Sequence, residues 1–151
     1  MFEVILWGGL ATSLAVSLLI FPTYIFCPQI WLAELTDGEE QHSPILAMSV
    51  ALLTVVIMLA GAIASAAWYD AANEISFLQR FYVAWGVISL FSLYDLIIID
   101  ILLYMWIRPP FMRFEGYPTL GYWHHTKASL IGIFPVGVPL ALISAFLANF
   151  F

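Results

Sequence analysis

The chain has 151 residues, of which 64% are hydrophobic and 9% are charged, and its formal net charge is −6. Ordinary soluble domains are roughly 25% charged, so this composition leaves too little polar surface to cover a water-soluble globule. The acidic balance excludes an electrostatic nucleic-acid binder, and the single cysteine excludes an intrachain disulfide. We therefore expect one transmembrane domain, residues 1–151, whose first partner is the lipid bilayer.

Four long apolar runs predict an all-α, polytopic membrane protein with four transmembrane helices in one bundle. A helix needs about 20 apolar residues to cross a bilayer, and each run is long enough. Small residues at four-residue spacing, Gly9 and Ser13 in the first helix and Gly61 and Ser65 in the second, allow close helix approach. The predicted helices cover about 4–26, 44–69, 81–107 and 127–149.

The fourth helix is the most interrupted of the four. It contains Pro135 and Pro139, with Gly132 before the first proline and Gly137 between the two. Proline removes a backbone donor and clashes with the preceding turn. We therefore expect this helix to be kinked or locally unwound.

The third helix carries two carboxylates, Asp95 and Asp100, deep inside its apolar run. An ionised carboxylate near the bilayer centre costs about 2.5–3.5 kcal/mol on insertion scales, so such residues are functional candidates by default. At 100° per residue the two side chains point about 140° apart, which predicts that they face different neighbours. Ser92 lies on the same side of the helix as Asp95, and Ser89 and Tyr104 lie on the same side as Asp100. We therefore expect the third helix to be central.

The fourth helix starts on the side of the membrane where the third one ends. Asp100 lies about 12 Å from Arg108 along an α-helix, close to that side. Lys127 and His125 open the next helix, and a lysine can bend its long stem along apolar surface. We expect Lys127 to be the main compensating cation for Asp100, with His125 or Tyr104 completing the hydrogen bonds.

Four spans place both termini on one side of the membrane and the first and third loops on the other. Three of the basic residues, Arg108, Arg113 and Lys127, adjoin those two loops, and Arg80 alone lies on the other side. The positive-inside rule therefore predicts that both termini are outside the cytoplasm. The first loop also contains an apolar stretch, 31–35, that is typical of a short interfacial helix.

Three short motifs touch three of the four spans: Pro28-Gln29-Ile30-Trp31-Leu32, Asp95-Leu96-Ile97-Ile98-Ile99-Asp100, and His125-Thr126-Lys127. Together they resemble an uncharacterised family of small four-helix bacterial integral membrane proteins. The resemblance implies the same architecture and a bacterial inner-membrane location, with no activity attached. In that family a Pro-Gly-Thr-Glu-Gly stretch often occupies the third loop, where this chain has Phe114-Glu115-Gly116-Tyr117-Pro118, so no shared role of that loop is implied.

Two classes of function remain open. In the first, the bundle transports or senses a proton or cation, Asp95 and Asp100 form the relay, the fourth helix moves, and a homodimer gives room for a pathway. In the second, the chain is an accessory or scaffold subunit of a membrane complex, and its polar core fixes the helix register.

A membrane enzyme with a carboxylate–histidine metal site is a more distant alternative. The adjacent residues His124 and His125 point about 100° apart on a helix, which is poor geometry for chelating one ion. The sequence contains no catalytic triad order and no phosphate-binding glycine loop. We therefore assign no catalytic residue, metal ligand or cofactor.

Overall fold

A computed structural model describes residues 1–27, 30, 44–112 and 121–151. Every regular element in these residues is helical. The elements are α1 (Phe2–Phe26), α2 (Pro44–Asn73), α3 (Phe77–Tyr94), π1 (Asp95–Ile107), α4 (Tyr122–Ile131), π2 (Gly132–Val136) and α5 (Gly137–Leu147), with 3-10 turns at Pro110–Met112 and Ala148–Phe150. The expected interfacial helix at 31–35, the third-loop stretch 114–118 and Arg113 lie outside the described residues.

The helices join into four spans, which confirms the predicted all-α four-helix membrane bundle. The third span, Phe77–Ile107, combines α3 with π1, and the fourth, Tyr122–Phe150, runs from α4 through π2 and α5. The four spans are long and apolar enough to cross a membrane, with mean hydropathy between 2.1 and 2.5. The main difference from the predicted boundaries is that the fourth span begins at Tyr122 instead of near 127.

α3 lies at the centre of the bundle and packs against α1, α2 and α5. Its residues Ala84, Val87 and Ile88 are 0% exposed. Small residues make this packing close, as predicted. A side chain added at Gly9 of α1 would collide with Leu90 of α3, and one added at Gly61 of α2 would collide with the hydroxyl of Thr12.

The turn between α2 and α3 is fixed by polar contacts at the end of the bundle that contains the termini. Arg80 Nη1 donates to Asp70 Oδ2 at 2.6 Å, and the Ile75 backbone N–H donates to the other carboxylate oxygen at 2.9 Å. Ser76 caps α3 in a reciprocal pair with Gln79. These bonds fix the start of the third span.

Two π-helical segments, π1 and π2, interrupt the bundle, each in a different span. In π1 the backbone bonds join residues five apart, as in the bond from the Arg108 N–H to the Leu103 carbonyl at 2.8 Å. π2 contains Pro135, so the local departure from α-helix expected around the prolines is confirmed there. The Trp85 indole N–H donates to the Ile133 carbonyl at 3.0 Å and ties π2 to α3.

Candidate functional site: an acidic cavity

All four spans contribute to one cavity of about 390 Å³, here called the acidic cavity. It lies in the half of the bundle next to the first and third loops, because it is lined by the end of α1, the start of α2, π1 and the start of α4. Ala51, His124 and Ala128 on its lining are exposed among the described residues. Its lining residues are Ile20, Tyr24, Ala51, Thr54, Phe91, Asp95, Asp100, Tyr104, His124, His125 and Ala128.

The cavity follows from how the two halves of the third span pack. The first half, α3, is in close contact with α1 and α2. The second half, π1, packs chiefly against α4 among the described elements. Space therefore remains between π1 on one side and the ends of α1 and α2 on the other, and the acidic cavity fills that space.

Asp95 and Asp100 line the same cavity, so the prediction that they face different neighbours is wrong. That prediction assumed α-helical geometry. In a π-helix the bonds join residues five apart, so Asp100 lies one turn after Asp95 and on the same side. Phe91 and Tyr104 extend the lining along the same span, and the two carboxyl groups are close enough to interact electrostatically.

The partner of Asp100 is His125, at 3.0 Å between Nδ1 and Oδ2. The His125 ring is 7% exposed and meets the Tyr104 ring edge-on, with 5.6 Å between the centroids. The prediction that Lys127 is the main partner is wrong in this structure, because Lys127 is exposed. Residues two apart on an α-helix point about 200° apart, so a helix that turns His125 inward turns Lys127 away.

Two polar groups on the lining keep unused hydrogen-bonding capacity. His125 Nε2 is buried and has no hydrogen-bond partner in the described part of the chain. Asp95 likewise has no hydrogen bond or ion pair with any described residue. A polar group held away from water without a partner is costly, as His125 Nε2 is here. The cavity therefore contains an acceptor suited to a proton or a cation.

Ser89 and Ser92 were expected beside the carboxylates, but neither is on the described lining of the cavity. The Ser92 hydroxyl donates to the Ile88 carbonyl at 3.1 Å, and the Ser92 carbonyl accepts from the Ser129 hydroxyl at 3.0 Å. Ser92 therefore joins the third and fourth spans. Tyr104 and His125, the other predicted supporting residues, do line the cavity.

Seven of the eleven lining residues were not among the predicted site residues: Ile20, Tyr24, Ala51, Thr54, Phe91, His124 and Ala128. The spans that contain them are apolar on most sides, so periodicity does not show which face meets a neighbour. The available signals were the polar side chains of Thr54 and His124 and the phenol of Tyr24, which is near the end of α1. Tyr24 is 8% exposed, although it lies close to the end of its helix.

The donor set does not fit a resident metal ion. Within the described residues, no group of three or more His, Cys, Asp or Glu side chains is placed to hold one. Catalytic zinc sites use three protein ligands, and Asp100 with His125 supplies two groups that already contact one another. The metalloenzyme alternative gains no support from this geometry.

Comparisons with protein-family models, with curated proteins and with solved structures found no match. The chemistry of the cavity is therefore the basis for assigning a function. A carboxylate paired with an imidazole can accept and pass on a proton, and a second carboxylate within the membrane can receive it. The same two carboxylates can also neutralise a bound cation.

Proposed function

We propose that this chain is a membrane protein that takes up a proton or a small cation at Asp95 and Asp100, for transport or for sensing. The observation that supports the proposal is that both intramembrane carboxylates line one cavity, and Asp95 has no partner among the described residues. Ionisable groups inside a bundle are costly, and they mark ion pathways and proton relays in membrane proteins.

The order of groups along the cavity suggests the direction of the relay. A cation entering past His124 meets the Asp100–His125 pair first and Asp95 next, deeper in the third span. Beyond Asp95, the α3 residues Val87 and Ile88 are 0% exposed, which supports a path that is closed along α3. Under this proposal the cation has access from one side, and transport requires the fourth span to move about π2.

The location of the protein is part of the proposal. The resemblance noted above favours the bacterial inner membrane, and the distribution of basic residues favours termini outside the cytoplasm. The acidic cavity adjoins the first and third loops, so under this topology it faces the cytoplasm. A homodimer is part of the proposal, because one four-helix bundle gives little room for a pathway.

Uptake into proteoliposomes tests the proposal. A pH-sensitive dye inside the vesicles reports protons, and a potassium diffusion potential provides the driving force. We expect uptake with the native chain, loss of uptake with Asp95→Asn, and slower uptake with Asp100→Asn. Glu3→Gln is the matched control, because Glu3 is an exposed carboxylate remote from the cavity, and it should behave as the native chain.

The contradicting result is equally specific. If Asp95→Asn inserts and folds as the native chain does and takes up protons, Na⁺ and K⁺ at the same rates, the relay is wrong. If Asp95→Asn fails to fold while Asp95→Glu is normal, the residue is structural. The accessory or scaffold class would then be the better interpretation.

A further inference from the structure

We propose that the ligand of the acidic cavity is a small organic ammonium ion. This inference rests on the proposed function, because it assigns a substrate class to the same carboxylates. It is suggested by three properties of the described lining that a site for a bare proton does not require: volume, two carboxyl groups with no lysine or arginine beside them, and aromatic walls.

The volume of the cavity is that of a small-molecule site. It measures about 390 Å³. A water molecule occupies roughly 30 Å³ of liquid, and ligand pockets begin at about 300 Å³. A proton passing between carboxylates needs neither this space nor so many apolar walls. The volume matches a molecule of a few heavy atoms with room for accompanying water.

The charge of the lining selects a cation. Asp95 and Asp100 both face the cavity, and its described lining contains no lysine or arginine. His125 occupies one oxygen of Asp100, whereas Asp95 has no hydrogen bond or ion pair with any described residue. Asp95 is therefore the group that we assign to the ligand's positive charge.

Aromatic and aliphatic side chains form most of the remaining lining, beside Thr54 and the two histidines, and favour an organic cation over an inorganic one. Phe91 and Tyr24 come from two different spans, and a ring face within about 6 Å attracts an ammonium group. The Tyr104 ring shows this kind of contact, with Arg108 Cζ at 6.0 Å from its centroid. Inorganic cations prefer sets of oxygen ligands, and no group of three or more acidic or histidine side chains is placed for one among the described residues.

Calorimetric titration of the purified full chain in detergent tests the inference with two probes of the same shape. Choline carries the positive charge, and 3,3-dimethylbutan-1-ol is its neutral counterpart. We expect saturable binding of choline, with affinity for the alcohol lower by about tenfold or more, because charge and ring attraction are both lost. This comparison uses the native chain and does not depend on any variant folding.

Three variants locate the binding site. Asp95→Asn should weaken choline binding by about tenfold or more, and Phe91→Leu by about threefold to tenfold. Glu3→Gln should leave binding unchanged, because Glu3 is exposed and remote from the cavity. Far-ultraviolet circular dichroism of each variant confirms that the helices are intact before binding is compared.

The results separate this inference from the proposed function. Equal binding of the alcohol and choline, or full choline binding by folded Asp95→Asn, would overturn the ammonium site. Proton uptake that depends on Asp95, without choline binding, would overturn the inference and leave the proposed relay in place. Choline binding that depends on Asp95, without uptake of any ion, would support the ammonium site and contradict transport.

Discussion

Asp100 and His125 show how a single helical position decides which partner a buried carboxylate receives. His125 approaches Asp100 to 3.0 Å, while Lys127, two residues later, is exposed. A full positive charge made Lys127 the more attractive candidate in the sequence. Because α4 begins at Tyr122, both residues lie within a regular helix, and only one of them can face the third span.

The Asp100–His125 contact should appear as a coupling in a double-mutant cycle. Asp100→Asn and His125→Phe remove the polar contact, and phenylalanine keeps a ring against Tyr104. We expect each single variant to lower the unfolding free energy by about 1–3 kcal/mol, because a buried polar group is left without its partner. The double variant should lose less than the sum of the two, by about 1 kcal/mol, in thermal or denaturant unfolding.

Lys127→Met provides the matched control for that cycle. Because Lys127 is exposed, its loss and the loss of Asp100 should add within about 0.5 kcal/mol. Coupling of Asp100 to Lys127 together with additivity of Asp100 and His125 would show that the pairing seen in this structure is not the one formed in solution.

At the scale of elements, hydropathy predicts the spans well, and it says nothing about the type of helix within a span. Length and apolar composition place all four spans, and the glycine and serine spacings indicate close packing in α1 and α2. The π-helical half of the third span has no residue signature, since no proline or glycine occurs in Asp95–Ile107. Because π-helices are rare, α-helical geometry was the reasonable assumption for this span. An α-helix would place Asp95 and Asp100 on different sides.

Accessibility of introduced cysteines distinguishes π-geometry from α-geometry in the third span. In a Cys27→Ser background, a small cationic thiol reagent should modify Asp100→Cys and leave Ile99→Cys protected. Asp100 lines the cavity, whereas Ile99 is 3% exposed and belongs to the hydrophobic core. Thr54→Cys, on another span of the same cavity, is the positive control.

Ile99 is four residues after Asp95, so an α-helix would place it on the cavity side. Fast modification of Ile99→Cys with protection of Asp100→Cys would therefore indicate an α-helical third span. In that case the two carboxylates would not share one cavity.

At the scale of the whole molecule, α1, α2 and α3 approach closely at one end of the bundle, and the acidic cavity lies at the other. Near the termini, small residues bring α1, α2 and α3 into close contact, and the Asp70–Arg80 pair fixes the turn. Near the first and third loops, π1 leaves space beside α1 and α2. This asymmetry places the cavity next to the side of the membrane that contains the first and third loops, so topology determines which compartment lies nearest to it.

Reporter fusions at the C-terminus test the topology. Three of the four basic residues adjoin the first and third loops, so we expect the C-terminus outside the cytoplasm. An alkaline phosphatase fusion after Phe151 should be active, and a green fluorescent protein fusion at the same place should be dark. The opposite pair of results would place the acidic cavity on the external side.

Infrared difference spectroscopy of the purified protein in lipid tests most directly whether Asp95 and Asp100 form one proton- or cation-binding site. Spectra recorded at acid and alkaline pH, with ¹³C-labelled aspartate, identify the carboxyl bands of protonated aspartic acids. We expect Asp95→Asn to remove one pH-dependent component and to shift the component that belongs to Asp100, because the two groups interact across one cavity. If the native chain and folded Asp95→Asn give identical pH-dependent carboxyl bands, Asp95 and Asp100 do not form one binding site.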